Sequence, residues 1–377
     1  MPKALVLGAG MVGSVIAWDL SRDRDMAVTI ADISDKNLAA ARERSGGRVA
    51  PAKADLSDSG TVTRLASGVD IVCGALSSHL GYGALSAVID AGKPYCDISF
   101  MAEDFSELDK KAKAKGVTAV VDCGVAPGMS HILSAYAAGQ LDRCDSIEIY
   151  VGGLPRERRW PYEYKAAFAP ADVIEEYTRP ARLVENGRIV TRAALSEPEL
   201  MDFVGVGTLE AFNTDGLRSL TTSLSIPFMK EKTLRYPGHI ELMRVMRETG
   251  LFSKEPVQVK GAAVRPLDLT SALLFPKWTY GPGEEDLTVM RVTAAGIKAG
   301  KAHRISYDLL DHFDKETQAT SMSRTTGIPC AIVARMLASG RVRQPGVLAP
   351  EKLAPIPGLV EDVLRQHEQR KIHYRIS

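Results

Sequence analysis

Gly8-Ala9-Gly10-Met11-Val12-Gly13 links an apolar run, Lys3–Leu7, to a segment with helical spacing, Met11–Leu20. A G-x-G-x-x-G string is weak by itself. Between a strand and a helix it restricts the chain to a βαβ unit that grips a dinucleotide. Gly8 permits the tight turn, Gly10 lets the backbone approach a pyrophosphate, and Gly13 permits close helix–strand packing. The helix start then offers unpaired N–H groups and a positive dipole end to the phosphates. The alternative is a glycine-rich strand–helix junction that holds no ligand.

The pattern around this turn supports the same fold class. Short Val/Ile/Leu-rich runs at Ala27–Ala31, Arg48–Ala52, Asp70–Cys73, Lys93–Ile98 and Val117–Val121 read as strands. Helical spacing follows at Asp35–Arg44, Ser59–Ala66, Gly83–Ala91, Glu103–Lys115 and Ser130–Gly139. Alternation of this kind predicts a parallel sheet with helices on both faces, an α/β Rossmann domain.

After Gly139 the pattern changes. Strands are expected at Asp145–Val151, Thr221–Ile226, Leu287–Ala294 and His303–Leu310, with a hairpin turn at Asn186-Gly187 and a helix at Glu241–Arg247. This predicts a second, mixed α+β domain. Thr320–Gly340 is again helical in spacing and rich in small apolar residues, with Pro329 compatible with a first turn or a kink. A length of 377 residues suits about two domains.

Charge narrows the partners. There are 47 Lys and Arg against 46 Asp and Glu, so nothing calls for nucleic acid or an anionic membrane. The five cysteines form no C-x-x-C pair, which argues against zinc or a disulfide framework and for reduced thiols; no metal is expected. The chain enters a strand directly, with no leader-like segment and no membrane-length apolar run, so a cytoplasmic location is expected.

Asp32 ends the second strand about 20 residues beyond the glycines, where an acid bonds the ribose 2′-OH and repels a 2′-phosphate. NAD is therefore expected over NADP. The alternative reading of Asp32 is a helix N-cap, a role that Ser34 fills equally well. Asp55-Leu56 after the third strand is expected to face the adenine. Ala75-Leu76, in the loop after the fourth, is expected near the pyrophosphate or nicotinamide, and His79 is either a site residue or a loop histidine. Asp97 and Asp122 end the fifth and sixth strands, as ammonium-binding or basic groups or as caps. Asp215 either binds an amino group or builds a turn. Arg235 either clamps a carboxylate or joins a salt bridge. His239 is a general base or a structural histidine. Cys123 is expected as a buried thiol. Arg156, Arg158 and Arg159 read as a solvated loop that would suit a second carboxylate on a large substrate.

Several stretches resemble the saccharopine dehydrogenase/reductase family, and most nearly its lysine 6-dehydrogenase branch. They are Tyr95-Cys96-Asp97-Ile98-Ser99, Asp122-Cys123-Gly124-Val125-Ala126-Pro127-Gly128, Gly152-Gly153-Leu154-Pro155, Phe212-Asn213-Thr214-Asp215-Gly216, Lys232–His239 and Ser321–Pro329. The resemblance implies a discontinuous Rossmann domain, giving 1–123 for nucleotide binding, 124–318 for substrate binding and dimerisation, and 319–377 as a helical return. It also implies a homodimer or dimer of dimers. It places Ser99 and Phe100 against nicotinamide and substrate, Val125-Ala126-Pro127 against the cofactor, and Asn213-Thr214-Asp215 against the substrate. Saccharopine reductases proper carry an Asp where this chain has Ala126, which favours a different substrate.

The implied reaction is NAD-dependent oxidative deamination of L-lysine at its 6-amino group, with Asp97, His239 and Arg235 as the catalytic set. Its product is 2-aminoadipate 6-semialdehyde, which cyclises. Only a neutral amine expels hydride, and an amine of pKa about 10.4 is mostly ammonium at neutral pH, so activity should rise from pH 7 toward 10. The alternative on the same scaffold is condensation of an amine with a carbonyl acid, as in saccharopine or carboxyspermidine formation. A third possibility is NAD binding without turnover.

Overall fold

Strand and helix alternate through the first 138 residues of the computed structural model, which describes residues 1–281 and 283–377. The strands are β1 (Lys3–Leu7), β2 (Ala27–Asp32), β3 (Val49–Lys53), β4 (Ile71–Gly74), β5 (Tyr95–Asp97) and β6 (Thr118–Val120). The helices are α1 (Met11–Leu20), α2 (Asp35–Arg44), α3 (Ser59–Ser67), α4 (Ser78–Asp90), α5 (Asp109–Ala114) and α6 (Met129–Ala138). All the pairings among these strands are parallel, in the order β3-β2-β1-β4-β5-β6. Direction from the first strand therefore reverses between β2 and β4, the kind of switch point where open α/β sheets take their ligands. Ser34 and Asp58 cap α2 and α3 through their side chains. Leu5, Leu7, Val72, Leu85, Val88 and Tyr95 fill the core on one face.

The middle of the chain forms β7 (Arg143–Pro155), α7 (Pro170–Thr178), β8 (Ala181–Glu185), β9 (Arg188–Arg192), β10 (Glu199–Phe203) and β11 (Gly207–Asn213). Next come α8 (Leu220–Ser223), β12 (Phe228–Arg235), α9 (His239–Glu248), the small hairpin β13 (Val257–Val259) and β14 (Ala262–Val264), and α10 (Pro266–Trp278). β15 (Asp286–Lys298) and β16 (Lys301–His312) complete the run. The sheet is mixed: β12 runs parallel to β7 and antiparallel to β11, and β15 pairs antiparallel with β7 and β16. The expected hairpin at Asn186-Gly187 joins β8 to β9, with φ of 50° and 72° as a two-residue type I′ turn requires.

The strand expected at Thr221–Ile226 is not there. Those residues form α8 and an extended exit, and the strand begins at Phe228. β-branched Thr221 and Thr222 suggested a strand, but the Thr221 hydroxyl bonds back to the Arg218 carbonyl and Ser223 N–H to that of Ser219, closing a helical turn.

The last segment contains α11 (Ser321–Ala338), β17 (Gly346–Leu348), α12 (Leu359–Glu368) and β18 (Tyr374–Ile376). β17 adds a seventh parallel strand beside β6, and β18 pairs with β16. Gly327 of α11 lies so close to α1 that an added Cβ would stand 3.2 Å from Ile16 and 3.3 Å from the Val12 carbonyl. Pro329 sits inside α11 rather than in its first turn, so the helix gives up one backbone bond there.

The chain divides into two units. The first holds Met1–Tyr136, Asp314–Ala319 and Ser323–Ile372; the second holds Ala137–Phe313, Thr320–Met322 and His373–Ser377. These are a Rossmann domain with a returning C-terminal helix and a mixed α+β domain; the sequence pattern predicts the two fold classes, and the family resemblance implies the return.

Candidate active site

Parallel strands deliver their carboxyl ends to one edge of the first unit, and the residues singled out there from sequence are gathered at that edge. Gly8 has φ +96°, and a Cβ on it would collide with the Ala75 carbonyl across the switch point. A Cβ on Gly13 would collide with the Gly8 carbonyl. Gly10 differs: nothing lies within 4 Å of the place its Cβ would occupy. It caps α1 without a side-chain bond, and the first turn, with Met11 exposed and Val12 half-buried, carries no acid. Two glycines are thus demanded by packing, while the third leaves open space above free helix N–H groups. That combination fits a dinucleotide pyrophosphate.

The Asp32 carboxylate accepts from the Ala9 N–H and the Ser34 N–H, each at 2.7 Å, which ties the end of β2 to the glycine turn. Ser34, not Asp32, caps α2. Asp55 is exposed and accepts from the Ser57 hydroxyl and N–H, while Leu56 is buried in the core. Ala75 N–H donates to the Leu7 carbonyl and Leu76 packs against the core. His79 is exposed in the first turn of α4.

Asp97 at the end of β5 is fully buried. It accepts from the Ser99 hydroxyl at 2.6 Å, the Ser99 N–H at 3.1 Å and the Tyr95 hydroxyl at 3.3 Å. Burial pushes its carboxyl up to about 8, against the Ser99 bonds and with help from the charge of Asp122. Gly74 makes room, since a Cβ there would collide with Tyr95 and Asp97. Phe100 follows half-buried. Asp122 is buried at a left-handed φ of 54°. Val125 is buried, and Ala126-Pro127 form the next turn, followed by Gly128 at φ +131°. Cys123 is a buried free thiol.

In the second unit one face of β12 carries Glu231, Thr233 and Arg235, because alternate residues of a strand share a face. Arg235 is 2% exposed and surrounded by rings. It donates to Glu176 at 2.7 Å, the Tyr177 hydroxyl at 3.2 Å and the Leu234 carbonyl at 3.0 Å, and its guanidinium lies 4.5 Å from the Tyr164 ring centre. His239 uses both ring nitrogens: Nδ1 bonds the Tyr162 carbonyl at 2.8 Å and Nε2 the Tyr177 hydroxyl at 2.9 Å. A carbonyl only accepts, so Nδ1 carries the proton and the tyrosine donates to Nε2. Burial, with the Arg235 charge, holds the imidazole down at about 3.

The Asn213-Thr214-Asp215 segment sends its three side chains to different sets of partners. Asn213 donates to Ser196 and Glu197. The Thr214 hydroxyl bonds Glu231 at 2.6 Å and Thr233 at 2.9 Å. Asp215 accepts a two-pronged contact from Arg182 at 2.8 and 2.9 Å. Glu231, Glu176 and Tyr177 were missed from sequence. The Lys-Glu-Lys run around Glu231 looks like an exposed charged stretch, and only the sheet buries it. The arginine loop is paired within itself and nearby: Arg156 with Glu285, Arg158 with Glu163, and Arg159 with Glu157 and Glu284.

The sequence matches two families end to end: "Saccharopine dehydrogenase NADP binding domain" over residues 4–120 and "Saccharopine dehydrogenase C-terminal domain" over residues 124–372. Alpha-aminoadipic semialdehyde synthase, mitochondrial, of Rattus norvegicus is 24% identical over 92% of this chain. The chain spans 45% of that protein's length. Carboxynorspermidine synthase of Vibrio cholerae is 25% identical over 94% of this chain and 93% of its own. The fold is that of apo saccharopine dehydrogenase (L-Glu forming) from Saccharomyces cerevisiae, with a TM-score of 0.82 at 18% identity over 100% of this chain and 99% of that one. Among the described residues no helix is long and apolar enough to cross a membrane.

Proposed function

The chain belongs to the saccharopine dehydrogenase family, and from that premise we propose that it is an NAD(P)-dependent oxidoreductase joining a primary amine to a carbonyl acid. Amine and carbonyl lose water to form an imine, and the imine carbon takes a hydride while its nitrogen keeps a proton, leaving a secondary amine. A bound dihydronicotinamide supplies that hydride. The observation that carries the reading is Asp97, a fully buried carboxyl at the cofactor edge of the sheet that is bonded by Ser99 and Tyr95 and pushed by burial above the usual carboxylate range. The Ser99 hydroxyl donates to Asp97 Oδ2 in the structure; protonation of that oxygen reverses the bond and frees the Ser99 proton to go to the substrate nitrogen, Oδ2 then giving its own proton to Ser99. The match to carboxynorspermidine synthase over nearly the full length of both chains supports the condensing direction.

Within this reading Arg235 and His239 are positioning residues. The guanidinium is largely engaged by Glu176, Tyr177 and the Leu234 carbonyl, and the imidazole is neutral with both nitrogens bonded. Asp32 supports NAD over NADP through its charge at the end of β2. A homodimer is proposed as well. Leu242 and Val245 on α9 and Leu269 and Leu273 on α10 are exposed apolar side chains that a second copy would cover, and light scattering would give the mass.

A second reading, oxidative deamination of L-lysine, is favoured by Ala126, which replaces the Asp of saccharopine reductases. One assay separates the two. The full chain is mixed with NADH or NADPH and a grid of amines and amino acids crossed with keto acids and semialdehydes, and in a second arm with NAD and each amine or amino acid alone, where a gain of absorbance is read. Loss of absorbance at the reduced-cofactor band and mass spectrometry of the products are the readouts. The proposal expects turnover that requires both an amine and a carbonyl acid. NADH appearing from lysine and NAD alone, with no condensation, would replace it by the second reading. No turnover in either direction would sink both.

A further inference from the structure

Three acids lie close together around the stripe on β12, Glu231 on the strand itself, Glu176 on α7 and Asp215 in the turn after β11, and their partners differ. Glu176 holds Arg235, and Asp215 holds Arg182. Glu231, 3% exposed, accepts instead from the Thr214 hydroxyl and the Gly216 N–H, at 2.6 and 3.0 Å. The other groups acting on it are Thr233, bonded to the same Thr214 hydroxyl, and the negative charges of Glu176 and Asp215. The fit around it is tight: a Cβ on Gly216 would collide with the Glu231 carboxylate. One buried carboxyl thus anchors both ends of the turn that follows Asn213.

We propose that Glu231 is a positioning and specificity-determining residue for the cationic amine end of the substrate, acting through Thr214 on the turn formed by Thr214, Asp215 and Gly216. This rests on the amine–carbonyl acid reading above and names the group that selects the amine. An ionised Glu231 orders the chain of bonds one way, Thr233 to Thr214 to Glu231, and places a negative charge one hydroxyl behind the turn. A protonated Glu231 donates to Thr214 and removes that charge. Burial, with the charges of Glu176 and Asp215 adding to it, pushes the carboxyl up to about 8, so the empty site holds a proton far more readily than an ordinary carboxylate. An arriving ammonium favours the ionised form, and the proton leaves to solvent.

The test is calorimetry on the full chain saturated with NAD, titrated with 1,3-diaminopropane and with L-lysine at pH 7. Each titration is run in two buffers of different ionisation enthalpy, which reports protons released. The expected result is amine binding with release of a fraction of a proton. Glu231→Gln keeps the side-chain shape and should weaken amine binding at least tenfold, abolish the release, and leave NAD affinity within twofold. Thr214→Val, which removes the relay while keeping the carboxyl, should weaken amine binding as well and serves if the Gln variant does not fold. Amine affinity within twofold of wild type in both variants, or wild-type binding with no proton release, would overturn the inference while leaving the condensing activity standing on turnover. A wild-type chain that neither binds these amines nor turns over any pair would remove the functional reading and this inference together.

Discussion

Arg335 of α11 donates to the Asp19 carboxylate at 2.6 Å and to the Asp19 backbone carbonyl at 2.7 Å, tying the returning helix to the one that follows the glycine turn. Arg370 adds two bonds to the same carboxylate, at 2.7 and 3.0 Å. Asp19 is fully buried, so its charge depends on these partners.

Arg335→Met should therefore lower stability by about 3 kcal/mol, the usual scale for leaving a buried charge short of its partner. Burial by itself would raise the Asp19 carboxyl, but the two arginines outweigh it and hold it below the ordinary range. A lowered folded value means stability present above about pH 4 and lost as pH falls through it. Urea unfolding at pH 3 and pH 7 checks both statements. A wild-type loss on acidification that Arg335→Met does not reduce would count against this linkage.

Gly10 and Gly13 separate ligand binding from packing. Gly10→Ala fits the backbone, at φ −69°, and meets no protein atom within 4 Å. It should leave the melting temperature unchanged and weaken NADH binding about tenfold or more, since its methyl takes the space assigned to pyrophosphate. Gly13→Ala collides with the Gly8 carbonyl and should cost about 1–3 kcal/mol of stability too. Fluorescence titration with NADH and thermal melts read the two effects; equal NADH affinity in Gly10→Ala and wild type would remove the pyrophosphate assignment.

Asp97→Asn keeps the shape and removes the titration. Because the folded carboxyl sits at about 8, above its unfolded value, its favourable contribution is full at low pH and is lost as pH rises toward 8. The Asn variant should thus be more stable than wild type at pH 8.5 and lose roughly a hundredfold in kcat if the acid handles a proton. Denaturant midpoints and pH–rate profiles measure these. Unchanged kcat would leave Asp97 as a support for Ser99 alone.

His239 should contribute no limb to the pH–rate profile near neutrality, because it stays neutral down to about pH 3. Its depressed folded value gives a stability term present above about pH 6.5 and lost as pH falls toward 3. His239→Asn should flatten that acid loss of stability and leave the shape of the rate profile intact. A rate limb near pH 6.5 that vanishes in the variant would make His239 a working base.

Local rules wrote the glycine turn, the parallel βα series, the Asn186-Gly187 hairpin and the small-residue helix at Ser321–Ala338 into the sequence, because each depends on residues a few positions apart. The stripe on β12 was not legible in that way. Phe228–Arg235 carries charges at alternate and adjacent positions, so its burial shows no apolar period. Glu231 is buried because Thr214 and Gly216 reach it from 15 to 17 residues away, and Arg235 because Glu176 and Tyr177 reach it from 58 to 59. His239 illustrates the same limit: its imidazole is identical in any unfolded chain, and only the fold buries it beside Arg235, which keeps it neutral, and bonds it to the Tyr162 carbonyl and Tyr177 hydroxyl.

By itself, then, the order of residues determined where the chain turns, which segments are strands facing a cofactor edge, and which family it joins. The tertiary structure decided which charged groups lose water and what they meet when they do. Desolvation and hydrogen bonding are properties of neighbours in space, and for Asp97, Glu231 and Arg235 they are what turns a common side chain into a specific chemical group.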